Sequence, residues 1–208
     1  MQFERDHYGF WRQVAPRSFV YTEEYKSRQS TNGAMSFLRL GWLSAGLGGY
    51  DTMKSMEVVD IGCGSGEFVK HSKNFFKRVV GYDVAGDSIS RTELESTKWD
   101  LVVLSDVLEH FEDIDGLFEL KWEYAFISFP ETPEVSDWRE LDEMKFRHFK
   151  PDEHLWMMNA SGFERWARAG GAGIELKGCF EDAIRTRWDA DKPNISSFLL
   201  KRAAPLYK

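Results

Sequence analysis

The run Val58-Val59-Asp60-Ile61-Gly62-Cys63-Gly64-Ser65-Gly66 constrains this chain more than any other feature. A β-branched segment, Met56–Ile61, leads straight into three alternating glycines. Ser65–Phe75 follows with apolar anchors at Phe68 and Phe75–Phe76, which predicts a helix. Glycines between a strand and a helix let the backbone turn sharply and approach a ligand with no Cβ in the way. The open N–H groups of the helix start suit an anionic end of that ligand, such as a carboxylate. A dinucleotide-binding turn would carry its third glycine three residues after the second. Glu67 stands there instead, and a glutamate repels a pyrophosphate. Asp60 suits a ligand with an ammonium group. A tight turn with no ligand is the plain structural alternative.

The remaining pattern alternates. Arg78–Asp83, Asp100–Ser105 and Tyr124–Phe129 read as strands, Val107–Leu120 as a helix, and Ile174–Cys179 and Ile195–Leu200 as closing strands. Ser161-Gly-Phe-Glu164 has capping-box spacing and opens a helix to Ala169, stopped by Gly170-Gly171. Strands alternating with helices predict an α/β, doubly wound, Rossmann-like parallel sheet. Residues 1–50 predict a helical cap of one or two amphipathic helices, broken near Ser30–Gly33. Residues 130–160 hold Pro130, Pro133 and Pro151 and predict an irregular excursion over the carboxyl edge of the sheet. With no linker or repeat, 1–208 reads as one domain.

Composition narrows the partners. Apolar residues are 42% and aromatics 15%, enough for a real core. The net charge is −7, and the basic clusters Lys70–Lys77 and Lys201–Lys208 are short and mixed with apolar residues. Nucleic acid is therefore not favoured as a partner. Cys63 and Cys179 have no metal-ligand spacing, and a disulfide at Cys63 would obstruct the glycine loop. A reducing, cytoplasmic setting is the expectation, with no signal-peptide core and no apolar run of membrane-spanning length.

Asp83 ends the second strand, where an acid can accept both hydroxyls of a ribose. Together, Asp60-x-Gly62-x-Gly64-x-Gly66, Asp83 and Asp100-Leu-Val-Val-Leu-Ser-Asp-Val-Leu-Glu-His110 resemble the motifs of class I methyltransferases that use S-adenosylmethionine (SAM). The resemblance covers residues 55–130 firmly and the closing strands loosely. It implies that Gly62, Cys63, Gly64 and Gly66 pass the methionine end of SAM. It also implies that Asp60 orients the ammonium group, Asp83 and Val84 hold the nucleoside, and Ser105 and Asp106 border the cofactor. The family sheet has seven strands. Here Asp83 and Asp100 are 17 residues apart, too close for a helix, a strand and a second helix, so the third strand is expected to be missing or vestigial. The acid that follows it and reads adenine then has no clear counterpart; Asp87 and Glu93 are the candidates.

Asp106, Glu109 and His110 fall at i, i+3 and i+4, one face of a helix. Two carboxylates and an imidazole there can ligate a divalent cation, or contact the cofactor or the substrate with no metal. The element resembles the acid-x-x-Glu-His of ubiquinone-pathway and small-RNA O-methyltransferases, whose triple is implicated in metal binding. Arg147-His148-Phe-Lys-Pro151-Asp-Glu153-His154-Leu-Trp156 concentrates chemistry again, in a stretch similar to small phage and bacterial methyltransferases. His110, His148 and His154 are the candidate catalytic bases; hydrogen bonding that only pins the loop is the alternative. Tyr21, Tyr25 and Arg28 are candidates for a lid over the pocket.

The expected reaction is methyl transfer from SAM to a small-molecule acceptor, foremost an oxygen nucleophile such as a sugar hydroxyl. Methylation of a nucleic acid or a protein side chain is the second reading. The chain lacks the Asn/Asp-Pro-Pro-aromatic tetrapeptide of amino-group methylation on DNA bases. A catalytically silent SAM-binding module is the third.

Overall fold

The computed structural model describes residues 2–15, 33–84, 86, 89–151, 153–185 and 194–203. Its centre is a six-stranded sheet built from β3 (Glu57–Ile61), β4 (Arg78–Tyr82), β5 (Lys98–Ser105), β6 (Lys121–Pro130), β8 (Ala172–Gly178) and β9 (Ile195–Arg202). The order is β4-β3-β5-β6-β9-β8. The first four are parallel, and β9 lies antiparallel to both β6 and β8. No strand is present between β4 and β5 among the described residues, so the place beyond β4 is vacant.

Alternation along the strands sorts the core into two layers. Val59, Val102, Leu104, Ala125, Ile127, Phe198 and Leu200 face one way, onto Phe163, Trp166 and Ala167 of α6 (Ala160–Ala169). Val58, Leu101, Val103, Phe126 and Leu199 face the other way. There they meet α1 (Gly33–Gly46), α2 (Tyr50–Met53) and α3 (Glu67–Ser72) through Leu40, Leu43, Met53 and Phe68. A sheet covered on both faces explains why these strands are nearly continuous apolar runs. Asp60 lies two residues from Val58 and therefore faces the α1 side.

Three expectations need correction. The start of the chain is not helical: β1 (Phe3–Arg5) and β2 (Trp11–Gln13) form a hairpin. Gly9 turns it at φ +87°, and the Asp6 carboxylate accepts from the Tyr8 and Phe10 N–H groups. Strand β2 then pairs with β7 (Trp156–Met157), giving a second, three-stranded sheet. Among the described residues of the predicted cap, α1 is helical; Tyr21, Tyr25 and Arg28 fall outside the described residues.

Second, Val107–Leu120 is not one helix. It forms 3₁₀ turns at Leu108–His110 and Asp115–Glu119, separated by Phe111 in an extended conformation. The Asp113 carboxylate accepts the Asp115 N–H, a local bond that competes with helix continuation. Third, α6 is capped by Asn159, whose side chain accepts from the Gly162 N–H, rather than by Ser161.

Residues 131–155 carry one short helix, α5 (Arg139–Glu143), and otherwise turns. They are tied to the hairpin by a third core of Phe3, Val135, Leu141, Phe146 and Met157. This unit roofs the carboxyl ends of the parallel strands.

Candidate active site

Strands β3, β4 and β5 stop at Ile61, Tyr82 and Ser105, so Gly62, Asp83 and Asp106 emerge side by side. Ligands of open α/β sheets bind at this edge, where the strand order reverses about β3. Gly62, Gly64 and Gly66 all have positive φ, at +70°, +51° and +74°. A Cβ on Gly62 would meet Val107 Cγ2 at 2.5 Å, so that position has no room for a side chain. Gly66 lines no cavity; it makes the turn into α3. The Gly64 N–H donates to Asp83 Oδ2 at 2.9 Å, which fixes the carboxylate at the loop.

Two cavities open here. One, about 780 Å³, runs from Gly62, Gly64 and Asp83 past Val84 to Leu94, Leu117 and Leu120. It has the apolar walls that a nucleoside base needs. The other, about 630 Å³, lies under the roof and contains Arg39, Asp60, Cys63, Ser65, Ser105, Glu109, His148 and His154. Gly62, Asp106, Val107 and His110 border both. The wall between the two chambers is therefore a few side chains thick.

Asp60 is 4% exposed, and burial pushes its carboxyl up to about 7; Arg39 opposes that and Asp83 adds to it. An acid held so far from solvent favours a cationic ligand. The glycine turn, the buried acid and the apolar cleft thus fit SAM.

Asp106 does not join Glu109 and His110 on a helix face. Its backbone is left-handed, at φ +55°, and its Oδ2 accepts from the Arg185 guanidinium, with Arg39 at 3.8 Å. Burial opposes ionisation, but Arg185 and Arg39 win and hold its carboxyl below the usual range. Glu181, fully buried, accepts from Arg39 Nε at 2.8 Å and pairs with Arg185 at 2.7 Å. Sequence reasoning missed Arg39, Glu181 and Arg185. They carry no motif, and Arg39 and Glu181 stand 142 residues apart.

Glu109 and His110 instead meet His154, with ligand atoms of all three within 4.8 Å of one another. Glu109 is 2% exposed, and neither carboxyl oxygen has a hydrogen-bond partner among the described residues. Burial, and then the Asp106 charge, raise its pKa well above the usual value. His110 Nδ1 lies 2.9 Å from the Glu153 carbonyl. A carbonyl only accepts, so the ring proton sits on Nδ1 and Nε2 is the lone-pair nitrogen. Burial keeps the ring neutral by lowering its pKa. The His154 ring packs edge-on against His110 at 4.9 Å. Burial first, then His110, push its pKa down to about 3. His148 Nε2 lies 2.7 Å from Asn194 Oδ1. Burial lowers its pKa too.

The adenine candidates fare differently. Glu93 pairs with Arg78 at 2.5 Å and lines neither cavity. Asp87 falls outside the described residues.

Residues 47–175 match the family model described as a methyltransferase domain, which is more than half of the chain. The chain belongs to the class I SAM-dependent methyltransferases. Its fold is similar to a SAM-dependent methyltransferase from Mesorhizobium loti at TM-score 0.54 and 17% identity, covering 82% of this chain and 98% of that one. A SAM-dependent methyltransferase from Archaeoglobus fulgidus gives 0.54 and 19%, covering 86% and 97%. The magnesium protoporphyrin IX methyltransferase of Synechocystis PCC 6803, with bound S-adenosylhomocysteine, gives 0.51 and 15%, covering 90% of each. No curated protein sequence matches the chain. Among the described residues this methyltransferase has no strand between β4 and β5 in sequence, and no helix long and apolar enough to cross a membrane.

Proposed function

We propose that this methyltransferase modifies a hydroxyl oxygen of a small, polar acceptor seated under the roof, with His110 as the base. The nucleoside half of SAM occupies the larger cavity, with Asp83 toward the ribose and Val84 and Val107 beside the base. Asp60 faces the ammonium group, and Cys63 and Ser65 border the methionine end. When bound, SAM supplies a methyl group on a sulfonium, an electrophile that needs only an aligned nucleophile.

The observation that carries this reading is the common wall. A methyl group can pass from one chamber to the other only where Gly62, Asp106, Val107 and His110 border both. His110 is the imidazole at that point, with Nε2 as its lone-pair nitrogen. It takes the acceptor proton beneath the roof. His154 is the poorest base of the three candidates, since a pKa of about 3 leaves it little affinity for a proton. The chamber holds Arg39, Arg147, Lys150 and Arg185 among its charged residues, which suits a hydroxylated molecule better than a flat hydrocarbon.

The test uses SAM with a labelled methyl group against pools of sugars, polyols, hydroxy acids and phenols, beside nucleic acid and protein fractions. Label should enter a hydroxylated small molecule, and His110→Ala should slow transfer by roughly 10²–10⁴-fold, the usual scale for a general base. Label confined to nucleic acid or protein overturns the proposal.

A second reading rests on Glu109, His110 and His154 as a cation site. Two neutral imidazoles and an unpartnered carboxyl within 4.8 Å form a donor set of the right types. The Glu153 carbonyl would orient His110 as outer partners of metal-bound histidines do. A divalent cation there would polarise an acceptor hydroxyl, and His110 would then be a ligand and not the base. Asp106, committed to Arg185, drops out of the triple. Metal analysis of the purified protein, with melting followed under chelator and under added Mg²⁺, Mn²⁺ or Zn²⁺, decides it. A cation that binds only the folded state raises the melting point, and Glu109→Gln should abolish that rise while keeping the fold. No co-purifying metal and no cation-dependent shift would remove the ion.

A further inference from the structure

Among the described residues no strand lies between β4 and β5 in sequence, and the larger cavity is bordered there by α4 (Arg91–Ser96). Leu94 of this helix is buried in the core beneath the cavity, while Arg91 and Glu95, one turn apart, both border it. Arg91 Nε donates to Glu95 Oε1 at 2.6 Å, so the two side chains present a donor and an acceptor next to each other. The hydrogen-bonding edge of adenine needs this arrangement: N1 accepts, and the 6-amino group donates. The other acids along this end, Glu112, Asp113 and Glu119, have no basic partner beside them among the lining residues. Asp113 is moreover engaged by the Asp115 N–H. Such a site can supply an acceptor for the amino group, but its donor to N1 has to come from the backbone.

We infer that the Arg91–Glu95 pair reads the adenine of the cofactor, replacing the acid that a third strand would have carried. The inference rests on the nucleoside occupying this cavity. Arg91 donates to N1, and Glu95 accepts from the 6-amino group. Both side chains are largely exposed without ligand, at 80% and 52%, so discrimination is expected to be modest.

The probes are S-adenosylhomocysteine and its hypoxanthine counterpart, in which N1 carries a proton and position 6 an oxygen. Calorimetry on the wild type should favour the adenine ligand by roughly tenfold. The double swap R91E/E95R keeps a salt bridge and reverses the donor and acceptor, so it should erase or invert that preference. Glu95→Gln offers both a donor and an acceptor and should bring the two ligands to within about threefold. A wild-type preference retained in both variants overturns the inference and moves recognition to the Glu112–Glu119 side. If the wild type binds neither ligand, the cofactor placement fails and the inference falls with it. Both positions face solvent, and circular dichroism checks that the variants are folded.

Discussion

Asp60 is a carboxyl with only 4% of its surface exposed, and the opposing charge of Arg39 only partly offsets its burial. The folded protein holds this proton more tightly than the unfolded chain does. Its ionisation therefore costs stability as pH rises from the unfolded value near 3.8 toward about 7. A ligand ammonium group next to the carboxylate relieves that cost. S-adenosylhomocysteine affinity should accordingly rise by roughly fivefold or more between about pH 6 and about pH 7.5, and Asp60→Asn should flatten the slope. Calorimetry across that range checks it; an identical slope in the variant takes Asp60 out of the ligand's reach. At this scale the sequence was most readable where chemistry is local. The glycines, Asp60 and Asp83 follow one another along strand ends, and their spacing carries their geometry. Arg39, Glu181 and Arg185 were invisible, because the charge network that grips Asp106 is assembled from opposite ends of the chain.

Elements were legible in proportion to their length. Strands β3, β5 and β6 are β-branched or aromatic runs of five or more residues and stood out. The hairpin β1–β2 has three residues per strand, too few for any periodicity to register. Its one local sign is Asp6 three residues before Gly9, a turn with its own side-chain acceptor. The buried Leu108, Ile114 and Leu117 stand six and three residues apart, a period of three that suits the 3₁₀ turns better than the single α-helix expected. What the hairpin does is hold the roof. Phe3 is 4% exposed and packs on Trp138 and Phe149 at 5.4 and 5.8 Å. Phe3→Ala should cost about 3–5 kcal/mol within that small core and loosen residues 131–155. Limited proteolysis should then cut there several-fold faster, while S-adenosylhomocysteine affinity stays within about twofold of wild type, because the hairpin does not border the larger cavity. A parallel loss of affinity would show that the roof and the cofactor floor melt as one unit.

At the scale of the molecule, two chambers share one wall, and separate parts of the chain enclose them. The larger cavity is lined by residues 61–120 alone. The roofed chamber draws on α1, the glycine turn, the 130–155 excursion and the segment ending at Arg185. Sequence patterns could place the first and not the second, since contiguous chain writes its own geometry and a chamber closed by distant segments does not. The order of the sheet adds something about time. Strand β9 lies between β6 and β8, pairing Tyr124 with Lys201 on one side and Ala172 with Arg202 on the other. During synthesis β8 leaves the ribosome first and finds no edge to join, because the strand that links it to the sheet has yet to be made. The parallel strands β3 to β6, which pair among themselves, can thus come together while the nascent chain is still growing. The sheet is complete only when residues 195–202 have paired with β6 on one side and taken up β8 on the other.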